Sequence, residues 1–172
     1  MRVKREKKIT AGQTAPGEAG SGENPGRSKN RLLVVDDDAS VRELLARVLQ
    51  GEGYSVETAV NGTEALDIAA AAPLDLVLLD LTMPGRNGWD TFAKLRTENP
   101  LLAVIIITAR PNQFFTAVGA GVGALLEKPL DFPKLLETVS SLLAESAESR
   151  RARVAGKSAE FHYLPTLPKG NP

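Results

Sequence analysis

The stretch LVLLDLTMPGRNGWD, residues 76–90, decides the fold. An apolar run over residues 74–79 has the composition of a strand, and it stops at Asp80. A turn with Pro and Gly follows, and apolar residues then return at helical spacing over residues 89–98. The stretch therefore predicts a strand that ends in a carboxylate, then a loop and a helix.

The same alternation extends outward in both directions through residues 31–147. The predicted strands are 31–35, 55–59, 74–79, 102–107 and 124–126. The predicted helices begin after Ser40, taken as an N-cap, and continue with 63–72, 89–98, 112–119 and 132–147. Five strand–helix repeats predict a parallel sheet covered on both faces, which is a doubly wound α/β fold. Ligands of such folds bind at the carboxyl ends of the strands.

Polar side chains follow four of the five predicted strands. They are Asp36, Asp37 and Asp38 after the first strand, Asp80 after the third, Thr108 after the fourth, and Glu127, Lys128 and Pro129 after the fifth. Asp38 lies closest to Ser40, so we expect it to belong to a solvated turn or to the N-cap signal of the following helix rather than to a site. The other carboxylates are expected to converge on one crevice.

Converging carboxylates need a cation. Two of them about 4 Å apart repel by about 4 kcal/mol at an effective dielectric of about 20. Mg²⁺, which prefers oxygen ligands, fits this environment. A carboxylate left partly free of the metal is then a candidate nucleophile of the aspartyl-phosphate type. Lys128 and the Thr108 hydroxyl are suited to stabilise incoming phosphoryl oxygens.

The composition excludes several classes of function. The 172 residues contain no Cys and a single His, His162, which argues against thiolate sites, disulfides, His-based metal sites and Ser-His-Asp catalysis. The chain has no apolar run of the length that spans a membrane, and no apolar segment of a secretory signal follows its charged start. We therefore expect a cytoplasmic protein without membrane insertion.

Charge is distributed unevenly although the net charge is zero. Residues 1–30 carry seven Lys and Arg against three Asp and Glu, and residues 148–172 carry five against two. The first segment is rich in Gly, Ser and Pro and is predicted to be disordered. The second, with Pro165 and Pro168, is predicted to be a floppy basic tail in which His162 has no partner. Solvated tails are favoured over nucleic-acid binding.

Four motifs resemble the response-regulator receiver domain, the CheY-like fold of two-component signalling. They are LLVVDDD at 32–38, LVLLDLTMPGRNGWD at 76–90, IITA at 106–109 and EKPL at 127–130. The resemblance covers residues 31 to about 146, and it implies a five-stranded parallel sheet of order 2-1-3-4-5. The domain is accordingly bounded as residues 31–147.

The resemblance also implies the roles of the site residues. Asp80 is the phosphoacceptor, and Asp36 and Asp37 bind Mg²⁺ together with Asp80 and the backbone carbonyl of Thr82. The partner that supplies the phosphoryl group is a sensor histidine kinase or a histidine phosphotransfer protein.

Two further residues would respond to the phosphoryl group. Thr108 is the switch hydroxyl, and Lys128 contacts the phosphoryl oxygens, with the Lys128–Pro129 bond expected to be cis. Leu125 stands where many relatives carry Tyr or Phe, which leaves the aromatic part of the switch in doubt. The output surface is formed by the fourth helix, the fifth strand and the fifth helix.

The predicted function is that of a single-domain response regulator, because we expect the residues after Ala147 to be too few for an effector domain. Such a protein catalyses at most its own phosphorylation and slow dephosphorylation. Its downstream partner is an unknown protein, and a phosphorylation-dependent homodimer is left open. The alternatives are an adaptor of receiver shape that needs no phosphate, and a dinucleotide-binding enzyme suggested by Gly119, Gly121 and Gly123. The second is disfavoured because those glycines precede a strand.

Overall fold

A computed structural model gives the structure of the protein, and it describes residues 29–84, 87–110, 112–157 and 161–166. The prediction of a disordered segment over residues 1–30 therefore lies almost wholly outside the described residues. Among the described ranges, no helix is long and apolar enough to traverse a bilayer.

Strands and helices alternate up to residue 144, as the sequence pattern predicts, and a further helix and strand follow. The strands are β1 (Arg31–Val35), β2 (Ser55–Ala59), β3 (Leu76–Asp80), β4 (Ala103–Thr108), β5 (Ala124–Glu127) and β6 (His162–Leu164). The helices are α1 (Ala39–Gly51), α2 (Gly62–Ala71), α3 (Gly88–Glu98), α4 (Phe114–Ala120), α5 (Phe132–Ala144) and α6 (Ala147–Val154).

All strand pairs in the sheet are parallel, and the strand order is β2-β1-β3-β4-β5-β6. The predicted order 2-1-3-4-5 is confirmed, and β6 adds a strand to the edge of β5. The registers align Asp80 with Ile107 and Thr108 with Glu127. The strand ends that carry the predicted site residues are therefore neighbours at one edge of the sheet.

Each central strand buries both of its faces, as expected for a sheet with helices on both sides. Leu33 and Val77 face one apolar cluster, which α2, α3 and α4 cover. Leu32 and Leu76 face the other, which α1 and α5 cover. This packing on both sides fixes the strand ends and therefore the site.

The prediction of a floppy tail is wrong for residues 161–166. The α6 helix ends at Val154, and β6 then pairs with β5, with Ala124 aligned to His162 and Leu126 aligned to Leu164. The unpaired backbone edge of β5 explains this, because a parallel edge strand offers hydrogen-bonding groups to any extended segment. His162 is also not isolated, since its Nε2 lies 3.4 Å from the Ser141 Oγ.

The glycine-rich run belongs to the end of α4 rather than to a phosphate-binding loop. Gly121 follows α4 with φ of 68°, and a Cβ there would lie 2.9 Å from the Nη1 of Arg96. A phosphate-binding loop requires a strand before it and a helix after it. The run lies between a helix and a strand, so the dinucleotide-binding alternative has no structural support.

Candidate functional site

Asp36 forms the buried base of the site. Asp36 directly follows the last residue of β1, and its Oδ1 accepts a hydrogen bond of 2.9 Å from the backbone N–H of Asp38. The guanidinium of Arg42 donates to the backbone carbonyl of Asp36 at 2.7 Å. The neighbouring Asp37 is exposed to solvent. One member of the acidic pair is thus held rigidly and the other is free to meet a ligand.

Asp38 is part of a helix and not of the site. Its carboxylate accepts hydrogen bonds from the N–H groups of Ser40 at 2.8 Å and Val41 at 3.3 Å, which makes it the N-cap of α1. The prediction that Ser40 caps this helix is therefore wrong. Of the two roles expected for Asp38, a solvated turn or part of a helix N-cap signal, the structure shows the second.

Asp80 ends β3 and is buried, with 3% of its surface exposed. Its Oδ1 accepts a hydrogen bond of 2.9 Å from the backbone N–H of Thr82. The start of α3 packs directly against it, because a Cβ on Gly88 would lie 2.7 Å from the Asp80 carbonyl oxygen and 2.6 Å from the Leu81 Cα. Gly88 is therefore required by close approach of the helix to the strand end.

Lys128 joins the two buried carboxylates. Its Nζ donates to Asp36 Oδ2 at 2.9 Å and to Asp80 Oδ2 at 3.0 Å. The Lys128 N–H also donates to the carbonyl of Thr108 at 2.9 Å. The peptide bond between Lys128 and Pro129 is cis, as predicted.

Thr108 completes the group of predicted residues at this edge. It is fully buried at the end of β4, and its Oγ1 accepts a hydrogen bond of 2.9 Å from the N–H of Arg110. Leu125 is also fully buried, opposite Ile106 in the register. The position where the resemblance implies an aromatic ring is thus filled by a core leucine.

The electrostatics of the site show a shortage of positive charge. Burial raises the pKa of Asp36, and the hydrogen bonds from Lys128 and the Asp38 backbone only partly offset this effect. Burial lowers the pKa of Lys128, but the hydrogen bonds and charges of Asp36 and Asp80 outweigh it and raise that pKa. The Lys128 ammonium therefore stays charged, and this one cation is shared by the carboxylates of Asp36 and Asp80.

The acidic residues suit a hard divalent cation. One carboxylate oxygen each from Asp36, Asp37 and Asp80 lie within 4.8 Å of one another. Opposite ligands of Mg²⁺ lie about 4 Å apart, since each bond is about 2.0–2.1 Å. Small side-chain movements would close the difference, and the exposure of Asp37 leaves room for water ligands.

The sequence reasoning missed three contributors to this edge. Gly88 lies in the MPGRNG turn, and no role was predicted for it. The Asn-Gly pair before the helix was the available signal of a close approach. Arg42 gave no signal, because a basic residue one turn into a helix is common. Thr166 lies in the predicted tail, yet its Oγ1 donates to the Lys128 carbonyl at 2.9 Å.

Known proteins are similar to this chain in sequence and in fold. The family model for the response regulator receiver domain matches residues 32–140. The chain belongs to this family. Its doubly wound architecture is that of CheY-like proteins.

Relatives with longer chains carry the same domain. The response regulator MprA of Mycolicibacterium vanbaalenii is 42% identical over 135 residues, which is 77% of this chain and 57% of the relative. The transcriptional regulatory protein ZraR of Salmonella typhimurium is 35% identical over 144 residues, which is 83% of this chain and 33% of the relative. This receiver-containing chain spans about half the length of the curated relatives it matches first.

Solved receiver structures have the same fold. The response regulator TrrA of Thermotoga maritima, solved in complex with Mg²⁺ and BeF, has a TM-score of 0.62 and 36% identity, covering 66% of this chain and 98% of its own. A CheY-like receiver domain protein of Methanospirillum hungatei has a TM-score of 0.65 and 27% identity, covering 72% and 98%.

Proposed function

We propose that Asp80 accepts a phosphoryl group from a phosphohistidine of a sensor histidine kinase or a histidine phosphotransfer protein. One observation carries this proposal: the buried Asp80 carboxylate shares the Lys128 ammonium with Asp36, with Asp37 beside them. A purely structural ion pair needs only one carboxylate for each cation. The surplus of negative charge favours a site that binds a cation and a phosphoryl group.

The side chains of the site would carry out the transfer directly. A carboxylate oxygen of Asp80 forms a bond to phosphorus as the N–P bond of phosphohistidine breaks, and the leaving imidazole retains the electron pair. Lys128 holds Asp80 Oδ2 and can follow its charge onto a phosphoryl oxygen while it keeps its bond to Asp36. The Thr108 hydroxyl then donates to a second phosphoryl oxygen.

We infer that Mg²⁺ is held by the carboxylates of Asp36, Asp37 and Asp80 and by the Thr82 carbonyl. When bound, the ion neutralises charge on the phosphoryl oxygens as they approach the acidic cluster. The role of Asp36 is to offer a fixed oxygen, because two hydrogen bonds already orient its carboxylate. Asp37, which is exposed, would move to complete the set.

The output would be a change in surface shape that another protein recognises. Phosphorylation adds about −1.5 to −2 units of charge and three acceptor oxygens at Asp80, which Thr108 and Lys128 would follow. The stand-alone character of the regulator, its location in the cytoplasm and its lack of nucleic-acid contacts stay predictions, as does a phosphorylation-dependent homodimer.

The test is mass spectrometry of the intact protein after incubation with acetyl phosphate and Mg²⁺. We expect one phosphoryl adduct, which is lost in Asp80→Asn and in EDTA. The matched control, Asp67→Asn, removes the same charge from an exposed position on α2 and should keep the adduct. A folded parent protein with no adduct would refute phosphotransfer and favour the adaptor that needs no phosphate.

A further inference from the structure

The C-terminal segment covers the edge of the sheet beside the phosphoacceptor site. Residues 161–166, which we name the docked strand, include β6 and run parallel to β5. Their side chains alternate between the two sides of the sheet, with Phe161 packed on the α4 side and Leu164 on the α5 side. The docked strand therefore occupies the surface between α4 and α5.

Aromatic packing fixes the docked strand against α4. Phe114 makes edge contacts with Phe161 and Tyr163, with ring centroids 5.5 and 5.0 Å apart. The adjacent Phe115 is 84% exposed, so the aromatic surface of α4 extends beyond the part that the docked strand covers. This surface therefore binds aromatic residues at alternate positions of an extended backbone.

Polar contacts connect the docked strand to the end of β5. The Tyr163 hydroxyl donates to Glu127 Oε1 at 2.9 Å, and the Thr166 N–H donates to Glu127 Oε2 at 3.0 Å. The Thr166 hydroxyl donates to the carbonyl of Lys128 at 2.9 Å. The residue that bridges Asp36 and Asp80 is thus also a direct partner of the docked strand.

The preceding helix, α6, is anchored more strongly than the docked strand. Arg153 is buried, forms a salt bridge of 2.6 Å to Glu145 and donates to the Gly121 carbonyl at 2.9 Å. The docked strand has only three residues in the sheet, and its bonds to Glu127 are exposed. Short segments with exposed hydrogen bonds open first, so residues 161–166 can leave while α6 stays.

We propose that the docked strand is an intramolecular occupant of the β5 edge that is displaced when Asp80 carries a phosphoryl group. This inference rests on the proposed function. The docked strand pairs with β5 in the state in which Lys128 is bonded to Asp36 and Asp80. Movement of Lys128 toward a phosphoryl oxygen disturbs the carbonyl that Thr166 binds. Displacement frees the β5 edge and Phe114 for an extended segment of a partner protein.

The coupling must act in both directions, because linkage between two binding events is reciprocal. A phosphoryl group that weakens docking implies that docking weakens binding of the phosphoryl group. Loss of the contacts made by Tyr163 and Thr166 should therefore favour the phosphorylated form.

Hydrogen–deuterium exchange of the full chain tests the first direction, with Mg²⁺ and beryllium trifluoride as the phosphoryl mimic. Fluorine NMR on the same sample reports whether the mimic is bound. We expect peptides that contain residues 161–166 to exchange faster with the mimic bound, and peptides from β2, at the other sheet edge, to be unchanged. Bound mimic with equal or slower exchange in residues 161–166 overturns the coupling alone. Absence of bound mimic overturns the proposed function and, with it, this inference.

Two pairs of variants test the reverse direction. Tyr163→Phe and Thr166→Val each remove one hydroxyl contact, and a net hydrogen bond corresponds to a factor of up to about ten in affinity. We expect each to tighten beryllium trifluoride binding by up to that factor. The controls are Tyr54→Phe, in the turn before β2, and Thr97→Val, whose hydroxyl donates to the Ala93 carbonyl within α3. Equal affinities in test and control variants would refute the proposal.

Discussion

Two cations of this protein, the partly buried Lys128 and the buried Arg153, stand in contrasting surroundings. Lys128 lies between Asp36 and Asp80, with the exposed Asp37 nearby, so acidic groups outnumber the cation. Arg153 is bonded to one carboxylate, that of Glu145, and to the Gly121 carbonyl. The first cluster has more carboxylates than cations and is unbalanced. In the second, Arg153 and Glu145 form a one-to-one pair, which we call the balanced pair, and Arg150 makes a longer contact of 3.8 Å with the same carboxylate.

This difference separates a site from a structural clamp. A balanced buried pair satisfies its own hydrogen bonds and needs nothing from solvent. Repulsion among the carboxylates of an unbalanced cluster lowers the stability of the fold. The same repulsion favours binding of a metal ion and, with it, of a phosphoryl group. The local balance of charge, rather than burial alone, therefore distinguishes the two.

The largest expected effect comes from breaking the balanced pair. Arg153→Met leaves Glu145 without its closest cation, and we expect the free energy of unfolding to fall by about 3 kcal/mol in urea titration. The stabilisation gained from Mg²⁺ should remain as in the parent. Adding Glu145→Gln to this variant should restore part of the loss. If the lost free energy of unfolding were recovered only when Mg²⁺ is added, the two clusters would not be independent.

A smaller effect is expected where α3 meets the unbalanced cluster. Gly88→Ala places a methyl group against the backbone of Asp80 and Leu81, and overpacking of this kind costs about 2 kcal/mol. Because the carbonyl of Asp80 must shift, Mg²⁺ affinity measured by calorimetry should also fall. Gly119→Ala is the control, since a Cβ there meets nothing within 4 Å. Equal stability of the two variants would contradict the packing argument.

The smallest effect is a gain in stability. Asp37→Asn removes one charge from the unbalanced cluster, and we expect thermal unfolding without metal to show a gain of less than about 1 kcal/mol. The added stability from Mg²⁺ should shrink. Asp38→Asn removes the same charge from the same loop but keeps a good helix cap, so it should produce neither change. Similar behaviour of both variants would mean that Asp37 is no part of the cluster.

The unbalanced cluster and the fold around it were predictable from sequence. Strand ends are marked by an abrupt change from apolar to acidic residues, as between Val35 and Asp36 or between Leu79 and Asp80. Parallel topology then forces these ends to one edge of the sheet. Helix capping was less predictable, because Asp38 and Ser40 are both good caps and only the geometry of the turn distinguishes them.

The balanced pair and β6 could not be predicted. The α6 sequence AESRRARV has no apolar face. Of the partners of Arg153, Glu145 lies before the helix and Gly121 is separated from it by 32 residues, so no helical spacing links them. The β6 segment has three residues, too few to show a period of two. Its conformation comes from the open edge of β5 and from Phe114, which are properties of the folded domain.

Because α6 and β6 follow α5, the chain leaves the domain at the opposite edge of the sheet from the edge where α5 ends. The α5 helix runs opposite to the strands, so a chain that stopped at Ala144 would exit at the amino edge of the sheet, far from Asp80. Because β6 is parallel to β5, Thr166 instead reaches the carboxyl edge beside Lys128. A fluorescent protein or enzyme fused after Thr166 would therefore begin next to the phosphoacceptor. Such a fusion joint is well placed to convert the chemical state of Asp80 into an optical or catalytic signal.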